Sequence, residues 1–411
     1  MASSIETTST TTTLKNNGNT YLSVDTNDDV AITNTLTATS PTFVTPNIGA
    51  ATVTSLNGGQ LAGNRNRIIN GDMRIDQRNA GAAHTSTNAN IYVLDRWSTY
   101  ETGGTAGKFT VQQDAGAVTP PVGFSNYIGI TSATAFSVTA GIIQSIRQSI
   151  EGFNASALDW GTANAKTVTV SFWVRSSLTG TFGGVLSNGA IDYSYPFTYT
   201  ISVANTWEQK SVTIAGPTAG TWLTTNGAGL TLQFVIGTGT TYQGSAGSWS
   251  ANGYYGATGA VNVTGTNGAT LYITGVQLET GTTATPFEQM QYGTQLALCQ
   301  RYLQSSWSQG SAIGSAVSLT TNSVQQSWGS LNAGIAGQAF LLPVTMRAAP
   351  TIVVYDLALT VAKVTTLGNG AAQINNVAAN NSATTTNMFY VRLFANNQAG
   401  MVFAYTLTAE L

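Results

Sequence analysis

Hydrophobic residues alternate with polar ones in several segments between residues 65 and 290. The residues that share one face are Val168, Val170, Phe172 and Val174 in one segment, Ile142, Gln144, Ile146, Gln148 and Ile150 in a second, and Leu230, Leu232, Phe234 and Ile236 in a third. This period of two predicts strands with one buried face. Many short strands without long helical patterns predict an antiparallel sandwich, and a jelly roll over residues 65–290 fits them best.

The alternation changes phase in the segment LYITGVQLET, residues 271–280. Leu271 and Ile273 share one face, whereas Val276 and Leu278 occupy even positions after Gly275. A glycine at a phase break is typical of a β-bulge, which redirects the side chains that follow. The segment is therefore predicted to be one strand with a bulge at Gly275.

Residues 291–306 are predicted to be a linker with a short helix. Tyr292, Leu296, Cys299 and Leu303 recur at helical spacing. Cys299 is the only cysteine, so an internal disulfide is excluded, and its place on an apolar stripe predicts a buried thiol. His84, the only histidine, lies in a segment with the composition of a loop, and a catalytic pair with Cys299 is disfavoured.

Residues 307–411 are predicted to form a second β domain, a C-terminal β-sandwich. The segments with strand-like composition are Gln338–Pro343, Thr351–Tyr355, Phe389–Phe394 and Met401–Ala409. The chain ends directly after the last of them, which predicts that this end is built into a sheet.

Residues 1–64 differ in composition, because Thr, Asn, Ser, Ala and Gly dominate and no aromatic cluster is present. Short β-like pieces occur at Tyr21–Val24, Val30–Ile32 and Ala51–Val53. The segment is predicted to be extended and fibrous. A disordered tail and a stalk of chains wound around one another are both compatible with its apolar content.

Charged residues are scarce, at 8% of the chain with a net charge of −2. This balance leaves no basic field for nucleic acid or an anionic membrane. Since charges usually protect exposed sheet edges, their scarcity favours an oligomer in which the edges are paired or covered.

No apolar run is long enough to cross a bilayer, and the start, MASSIETTSTTTT, lacks the features of a secretory signal. We therefore expect synthesis in a cytoplasm without membrane insertion or export by the usual route.

Three sets of short motifs occur in an order that resembles bacteriophage tail and fibre proteins. They are Asn66-Arg-Ile-Ile-Asn-Gly-Asp-Met-Arg-Ile75 with Asp95-Arg-Trp97, then Gly275-Val-Gln-Leu-Glu279, Ala284-Thr-Pro-Phe-Glu288 and Leu298-Cys-Gln-Arg-Tyr302, and finally Pro343-Val-Thr-Met-Arg347, Pro350 and Ala409-Glu-Leu411. The first two sets resemble the entry and exit of a jelly-roll domain of that family, and the third resembles the β domain that follows it.

The resemblance implies a virion fibre or tail component, a homotrimer whose jelly roll is similar to carbohydrate-binding modules. It further implies that residues 1–64 attach to other virion proteins or intertwine. Together with the composition, it leads us to expect a non-enzymatic protein that contributes to host attachment through a surface glycan. A purely structural or capsid-decorating fibre and a glycan depolymerase are the alternatives.

A glycan site needs exposed aromatic faces beside amides and carboxylates. The densest candidate is Gly247–Gly256, where Trp249, Tyr254 and Tyr255 lie among small residues on an expected loop. A second candidate is Asp192–Tyr199. The opposing interpretation is that these rings are packing residues that close the sandwich.

A depolymerase would need two carboxylates about 5–10 Å apart. The available residues are Asp95, Glu101, Glu151, Asp159, Asp192 and Glu208, and no pair stands out by spacing or surroundings. Asp95 is predicted to pair with its neighbour Arg96. The stretch Asn70–Asp72 has oxygen ligands but no second acidic cluster, so no metal site is predicted. No catalytic residue and no cofactor are predicted.

Overall fold

The computed structural model describes residues 3–7, 11–16, 19–25, 30–31, 64–331, 335–368, 374–382, 385–394 and 398–411. The chain divides into two compact units, Met1–Val53 and Thr54–Leu411. In the first unit, four antiparallel strands pair in chain order, β1 (Ser3–Thr7), β2 (Thr11–Asn16), β3 (Asn19–Asp25) and β4 (Val30–Ala31). They contain most of two predicted β-like pieces, and the third, Ala51–Val53, lies outside the described residues. The fibrous arrangement stays a prediction.

The second unit begins with the sandwich. Its strands are β5 (His84–Thr85), β6 (Ile91–Leu94), β7 (Trp97–Thr102), β8 (Phe109–Gln113), β9 (Ile128–Ser132), β10 (Ile143–Glu151), β11 (Val168–Ser176), β12 (Gly180–Asn188), β13 (Ser194–Ile201), β14 (Glu208–Ile214), β15 (Ala228–Thr238), β16 (Gln243–Gly244), β17 (Gly256–Ala257) and β18 (Thr270–Thr280). A single-turn helix, α1 (Gly152–Ala155), and 3₁₀ turns at Ala115–Ala117, Ser156–Leu158, Thr240–Tyr242 and Val263–Gly265 connect them.

Two antiparallel six-stranded sheets face each other, in the orders β13-β12-β15-β10-β7-β6 and β14-β11-β18-β9-β8-β5. Their inner faces carry the alternating residues, so that the predicted faces of β10, β11 and β15 are buried in one core. The fold class is therefore all-β with a jelly-roll sandwich, as the alternation predicts. His84 begins the short strand β5 rather than lying in a loop, and it pairs with Val111.

The predicted bulge is present in β18. The register against β11 shifts between Ser171 and Trp173, and Gly275 has a φ of 60°. A Cβ at this position would lie 2.6 Å from the ring of Phe124, so both the backbone angle and the space require glycine. The bulge lets Ile273 and Val276 both face the core.

The C-terminal part consists of β19 (Leu303–Ser305), β20 (Val324–Leu331), β21 (Ile335–Leu341), β22 (Thr351–Tyr355), β23 (Lys363–Gly368), β24 (Ile374–Ser382), β25 (Met388–Phe394) and β26 (Gln398–Thr408). The long strand β26 pairs with β20 and β23 along its first half and with β19 and β22 along its second. A separate hydrophobic cluster lies here, around Phe389 and Phe403. The strands β20, β23 and β24 were not predicted.

The predicted linker contains the helix α2 (Tyr292–Gln300), which buries Cys299 completely. Burial raises the pKa of the Cys299 thiol. Leu303, predicted to continue the helical stripe, instead begins β19 and pairs with Thr408 of β26. Neither α-helix of the described residues is long and apolar enough to span a membrane. The division into domains at 65–290 and 307–411 stays a prediction.

Buried polar contacts join the sandwich to the C-terminal part. Arg96 is 1% exposed and forms an ion pair with Glu410, 314 residues later, and Arg78 pairs with the same carboxylate. The guanidinium carbon of Arg96 lies 3.6 Å from the ring centre of Tyr302. Burial alone would lower the pKa of Arg96, but Glu410 and Tyr302 outweigh it and the pKa is raised. We call Arg78, Arg96, Tyr302 and Glu410 the junction.

A second ion pair reinforces this connection. Arg301 donates from Nε and Nη2 to the two oxygens of Glu151, at 2.9 and 2.6 Å, and the Tyr302 hydroxyl donates to the same carboxylate at 2.8 Å. The Glu151 side chain is 1% exposed. Its charge is therefore compensated by a bidentate arginine and a hydroxyl.

The predicted pair of Asp95 and Arg96 is wrong. Arg96 has a φ of 69° in the turn between β6 and β7, and its side chain pairs with Glu410. The Asp95 carboxylate instead accepts bonds from the backbone N–H of Gln77 at 2.7 Å and from its side-chain amide at 2.6 Å. Because Asp95 is buried, its pKa is raised to about 6.

Candidate functional site

Five aromatic rings close one edge of the sandwich, where the edge strands β13 and β14 of the two sheets lie. Trp249 is at their centre. Its ring centre lies 5.5 Å from those of Trp160 and Trp222, 5.8 Å from Tyr193, which it stacks on, and 5.3 Å from Tyr195. We call these five residues the edge cluster. It brings together parts of the two candidate stretches, Gly247–Gly256 and Asp192–Tyr199.

Backbone carbonyls fix the orientation of the three indoles. The Nε1–H groups of Trp160, Trp222 and Trp249 donate to Lys166 O at 2.8 Å, Ala219 O at 3.0 Å and Ala215 O at 2.7 Å. Since these donors are satisfied within the chain, the rings can offer only their faces and edges to a ligand. Trp160 is almost buried, whereas Trp222 is half-buried.

A cavity of about 150 Å³ opens beside Trp160 and Trp222. Polar groups at its wall are Ser156, Asp159, Thr162 and Thr224. The Asp159 carboxylate is half-exposed and lies 3.0 Å from Nζ of Lys166. Indole faces pack against sugar C–H groups, while hydroxyls and a carboxylate bind sugar hydroxyls. The arrangement can therefore hold one sugar ring, and we call it the edge pocket.

The three predicted glycan-binding residues are not brought together. Trp249 supports the edge cluster but does not line the edge pocket. Tyr254 packs its ring against Gly244, where a Cβ would lie 2.3 Å from the ring. Tyr255 lies in a different aromatic group. Whether any of the three contacts a glycan stays a prediction.

That second group lies on the outer face of the sheet that contains β10. Tyr255 stacks on Tyr100 with ring centres 5.3 Å apart and planes 8° apart, and Tyr242 meets it edge-on at 5.6 Å. The guanidinium carbon of Arg147 lies 4.1 Å from the ring centre of Tyr100. We call Tyr100, Arg147, Tyr242 and Tyr255 the outer-face cluster. Burial and the neighbouring Tyr100 raise the pKa of Tyr255.

The carboxylates considered for a depolymerase are each bound by groups of the chain. Asp95 and Glu151 are bound as described above, and Asp159 pairs with Lys166. The other three contacts are Glu101 with Thr105, Asp192 with Asn188 and Glu208 with Lys210.

The stretch considered for a metal is bound in a similar way. Asp72 pairs with Arg74, and the Asn70 amide donates to Ile75 O and Asp95 O. Within the described ranges, no three residues among His, Cys, Asp and Glu are grouped to hold a metal ion. Oδ2 of Asp72 is in the ion pair, and Oδ1 of Asn70 accepts from the backbone N–H of Ile75.

Sequence reasoning missed Trp160, Trp222 and Arg147. Trp160 follows Leu-Asp and Trp222 follows Gly-Thr, two stretches that lie 62 positions apart and carry no local aromatic density. The signal that could have found them is a tryptophan among loop-forming residues, outside any alternating strand. Arg147 lies on the polar face of a predicted strand, where a charged residue is ordinary. Its position alone is therefore a weak signal of a binding site.

No family model matches the chain, and no curated protein matches it. Among solved structures, the enzymatically active domain of tailspike protein 4 of bacteriophage CBA120 matches at 15% identity and a TM-score of 0.29, covering 53% of this chain and 21% of that one. A structure titled CBM4 structure and function matches at 15% identity and a TM-score of 0.26, covering 51% and 97%. The tandem CBM22 domain of Paenibacillus barcinonensis Xyn10C matches at 10% identity and a TM-score of 0.24, covering 80% and 92%.

The match spans about a fifth of the tailspike chain, at 21% of its length. At these identities and scores, the matches carry no argument about function. The assignment of the fold rests on the pairing of the strands.

Proposed function

We propose that this protein is a non-enzymatic component of a phage fibre or tail that contributes to host attachment by binding a surface glycan in the edge pocket. The observation that carries the glycan part is the wall of that pocket, where two indoles lie beside a carboxylate and hydroxyls. Such a combination suits a sugar ring better than a purely apolar ligand.

The virion part of the proposal rests on the ordered motifs between Asn66 and Leu411 that resemble phage fibre proteins. A homotrimer is part of the proposal, with residues 1–64 attaching to other virion proteins. In a trimer, three weak sites act together, so that a modest affinity at each pocket gives firm attachment. Mass measurement in solution tests the trimer, and a stable monomer would contradict it.

The absence of an enzymatic role is proposed because the six carboxylates are held by the chain's own groups. Incubation with purified host-surface polysaccharide tests this part. Retention of intact chains supports the receptor role, whereas shortened chains would establish a depolymerase. If the protein neither binds nor cleaves the polysaccharide, a structural or decorating fibre is favoured.

The pocket itself is tested with a matched pair of tryptophans. Trp222→Leu removes an indole from the edge pocket. Trp207→Leu is the control, because Trp207 lies outside the pocket. Its indole is also half-buried and also donates to a backbone carbonyl, Thr119 O at 2.9 Å. We expect Trp222→Leu to weaken glycan retention about tenfold, a loss of about 1.4 kcal/mol. Trp207→Leu should retain it. Equal retention by both variants would contradict the assignment of the pocket.

A further inference from the structure

Arg147 lies on the outer face of its sheet. On β10 it lies next to Ile146, which belongs to the core, so its own side chain points away from the core. It pairs with Ser98 on β7 and with Gln233 on β15. Tyr100, two residues beyond Ser98, is its diagonal neighbour, and this places the guanidinium over the tyrosine ring.

No carboxylate among the described residues compensates the charge of Arg147. Arg147 forms no ion pair with any carboxylate among the described residues, in contrast to Arg96 and Arg301. Within the described ranges, its hydrogen bond joins Nη2 to the side-chain oxygen of Asn90 at 3.2 Å, in the amide orientation that also lets Asn90 donate to Thr99 O and Ser98 Oγ. A guanidinium has five N–H donors, so most of them stay free for an acceptor.

Two further observations describe the surroundings of Arg147 within the described part of the chain. Burial lowers the pKa of Arg147, and the groups that oppose this effect are tyrosines rather than carboxylates. Across the strand pair, the amide of Gln233 is fully buried and its Nε2 has no hydrogen-bond partner among the described residues. A guanidinium that is partly removed from water and has no carboxylate partner is costly, and a ligand that supplies a carboxylate recovers this cost.

We propose that Arg147, with Tyr100 and Tyr255, binds the carboxylate of an acidic sugar residue in a surface polysaccharide. The planar guanidinium matches a carboxylate through two parallel bonds. Tyr100 carries the guanidinium over its ring and stacks on Tyr255, so the exposed part of the half-buried Tyr255 is the aromatic surface that can contact the sugar ring. Asn90 is exposed, so the rim of the site is open to solvent on that side.

A single acidic sugar fits the charge of the chain better than a polyanion such as nucleic acid. The net charge is −2, and the other groups of the outer-face cluster are neutral tyrosines. Recognition must therefore come from one well-oriented carboxylate rather than from a broad positive field. The site is separate from the edge pocket, and either can fail without the other.

The test uses the full-length protein with four immobilised polymers, namely polygalacturonate, alginate, hyaluronate and polysialic acid, each beside its carboxyl-reduced form. We expect the protein to retain at least one acidic polymer and to lose it on carboxyl reduction. Arg147→Gln should weaken that retention about ten- to a hundredfold, the range for a charged hydrogen bond. Arg147→Lys keeps the charge but not the planar guanidinium. Its retention of the acidic polymer should lie between that of the native protein and that of Arg147→Gln.

The matched control is Arg175→Gln on the opposite sheet. Arg175 is also half-buried and lies over a tyrosine, with its guanidinium carbon 5.5 Å from the ring centre of Tyr272, but it donates to Asn205 O. The variant Arg175→Gln should leave retention of the acidic polymer unchanged. The proposal is overturned if no acidic polymer is retained better than its reduced form, or if Arg147→Gln and Arg175→Gln behave alike. Retention of neutral glycan should be unchanged in Arg147→Gln and lost in Trp222→Leu, and loss of neutral glycan in Arg147→Gln would contradict the assignment of Arg147 to a carboxylate.

Discussion

The junction and the outer-face cluster are built from the same pair of residue types. Each places an arginine over a tyrosine ring, Arg96 over Tyr302 at 3.6 Å and Arg147 over Tyr100 at 4.1 Å. In the junction, Glu410 supplies the negative charge. In the outer-face cluster, the described residues supply only a neutral amide, that of Asn90.

The difference distinguishes an arginine whose charge is compensated by a carboxylate of the chain from one that we propose is compensated by a ligand. A charge removed from water is costly unless it is paired, and the cost is recovered only with good geometry. The junction meets this need with Glu410, which lies 314 residues after Arg96. The outer-face cluster is the same arrangement without its carboxylate, and for this reason we assign it to recognition rather than to stability.

The largest effect is expected at the junction. Glu410→Gln leaves Arg96 charged, buried and without a carboxylate, and we expect the free energy of unfolding to fall by about 3 to 5 kcal/mol. Urea unfolding followed by tryptophan fluorescence measures it. Glu208→Gln, which breaks the more exposed pair with Lys210, is the control and should cost less than about 1 kcal/mol. If the free energy of unfolding falls by a similar amount in both variants, the buried ion pair of the junction contributes no more than an exposed one, and the comparison fails.

The junction should also respond to pH, through the neighbouring Asp95. Its pKa is raised to about 6, so between about pH 4 and 6 the folded chain keeps a proton that the unfolded chain releases. The contribution of Asp95 to the free energy of unfolding therefore falls as the pH rises through this window, by about 2 to 3 kcal/mol in total.

The measurement is urea unfolding at a series of pH values, with Asp95→Asn as the control. The variant is expected to be less stable throughout, because Gln77 donates to both oxygens of the carboxylate. Its free energy of unfolding should lack the fall of the native protein across this window. The same pH dependence in both proteins would mean that another group titrates there.

A smaller effect is expected in the outer-face cluster. Tyr255→Ser removes the ring that stacks on Tyr100 and should reduce the free energy of unfolding by about 1 kcal/mol. It should also weaken retention of the acidic polymer, because one face of the sugar loses its contact. Tyr254→Ser, whose ring packs on Gly244 in the same loop, is the control for retention. If Tyr254→Ser weakens retention as much, the site extends along the loop.

Local pattern was sufficient for the central strands of the sandwich and for the bulge, but not for β19, β20, β23 and β24. Alternation identified the buried faces of β10, β11 and β15, because each side chain's direction follows from its neighbours along the strand. Gly275 was recognisable for the same reason, since a change of phase within one strand is a local event.

The parts that sequence reasoning missed depend on contacts between distant residues. Arg96 pairs with Glu410 rather than with Asp95, because a turn with positive φ directs it to the other end of the chain. Trp249 and Tyr255 are six residues apart, yet they lie in different aromatic groups since the loop between them leaves the edge and reaches the outer face. The periodicity of hydrophobic residues does not predict the path of such a loop.

The most direct test supplies the missing carboxylate from the chain itself. Gln233→Glu places a carboxylate opposite Arg147, and the replaced Nε2 has no hydrogen-bond partner within the described part of the chain. The measurement is retention of the acidic polymer by this variant beside the native protein. We predict that retention is lost as in Arg147→Gln while the melting temperature is unchanged or higher, because Arg147 is then paired internally. Retention equal to that of the native protein, in a variant that folds normally, would contradict the account.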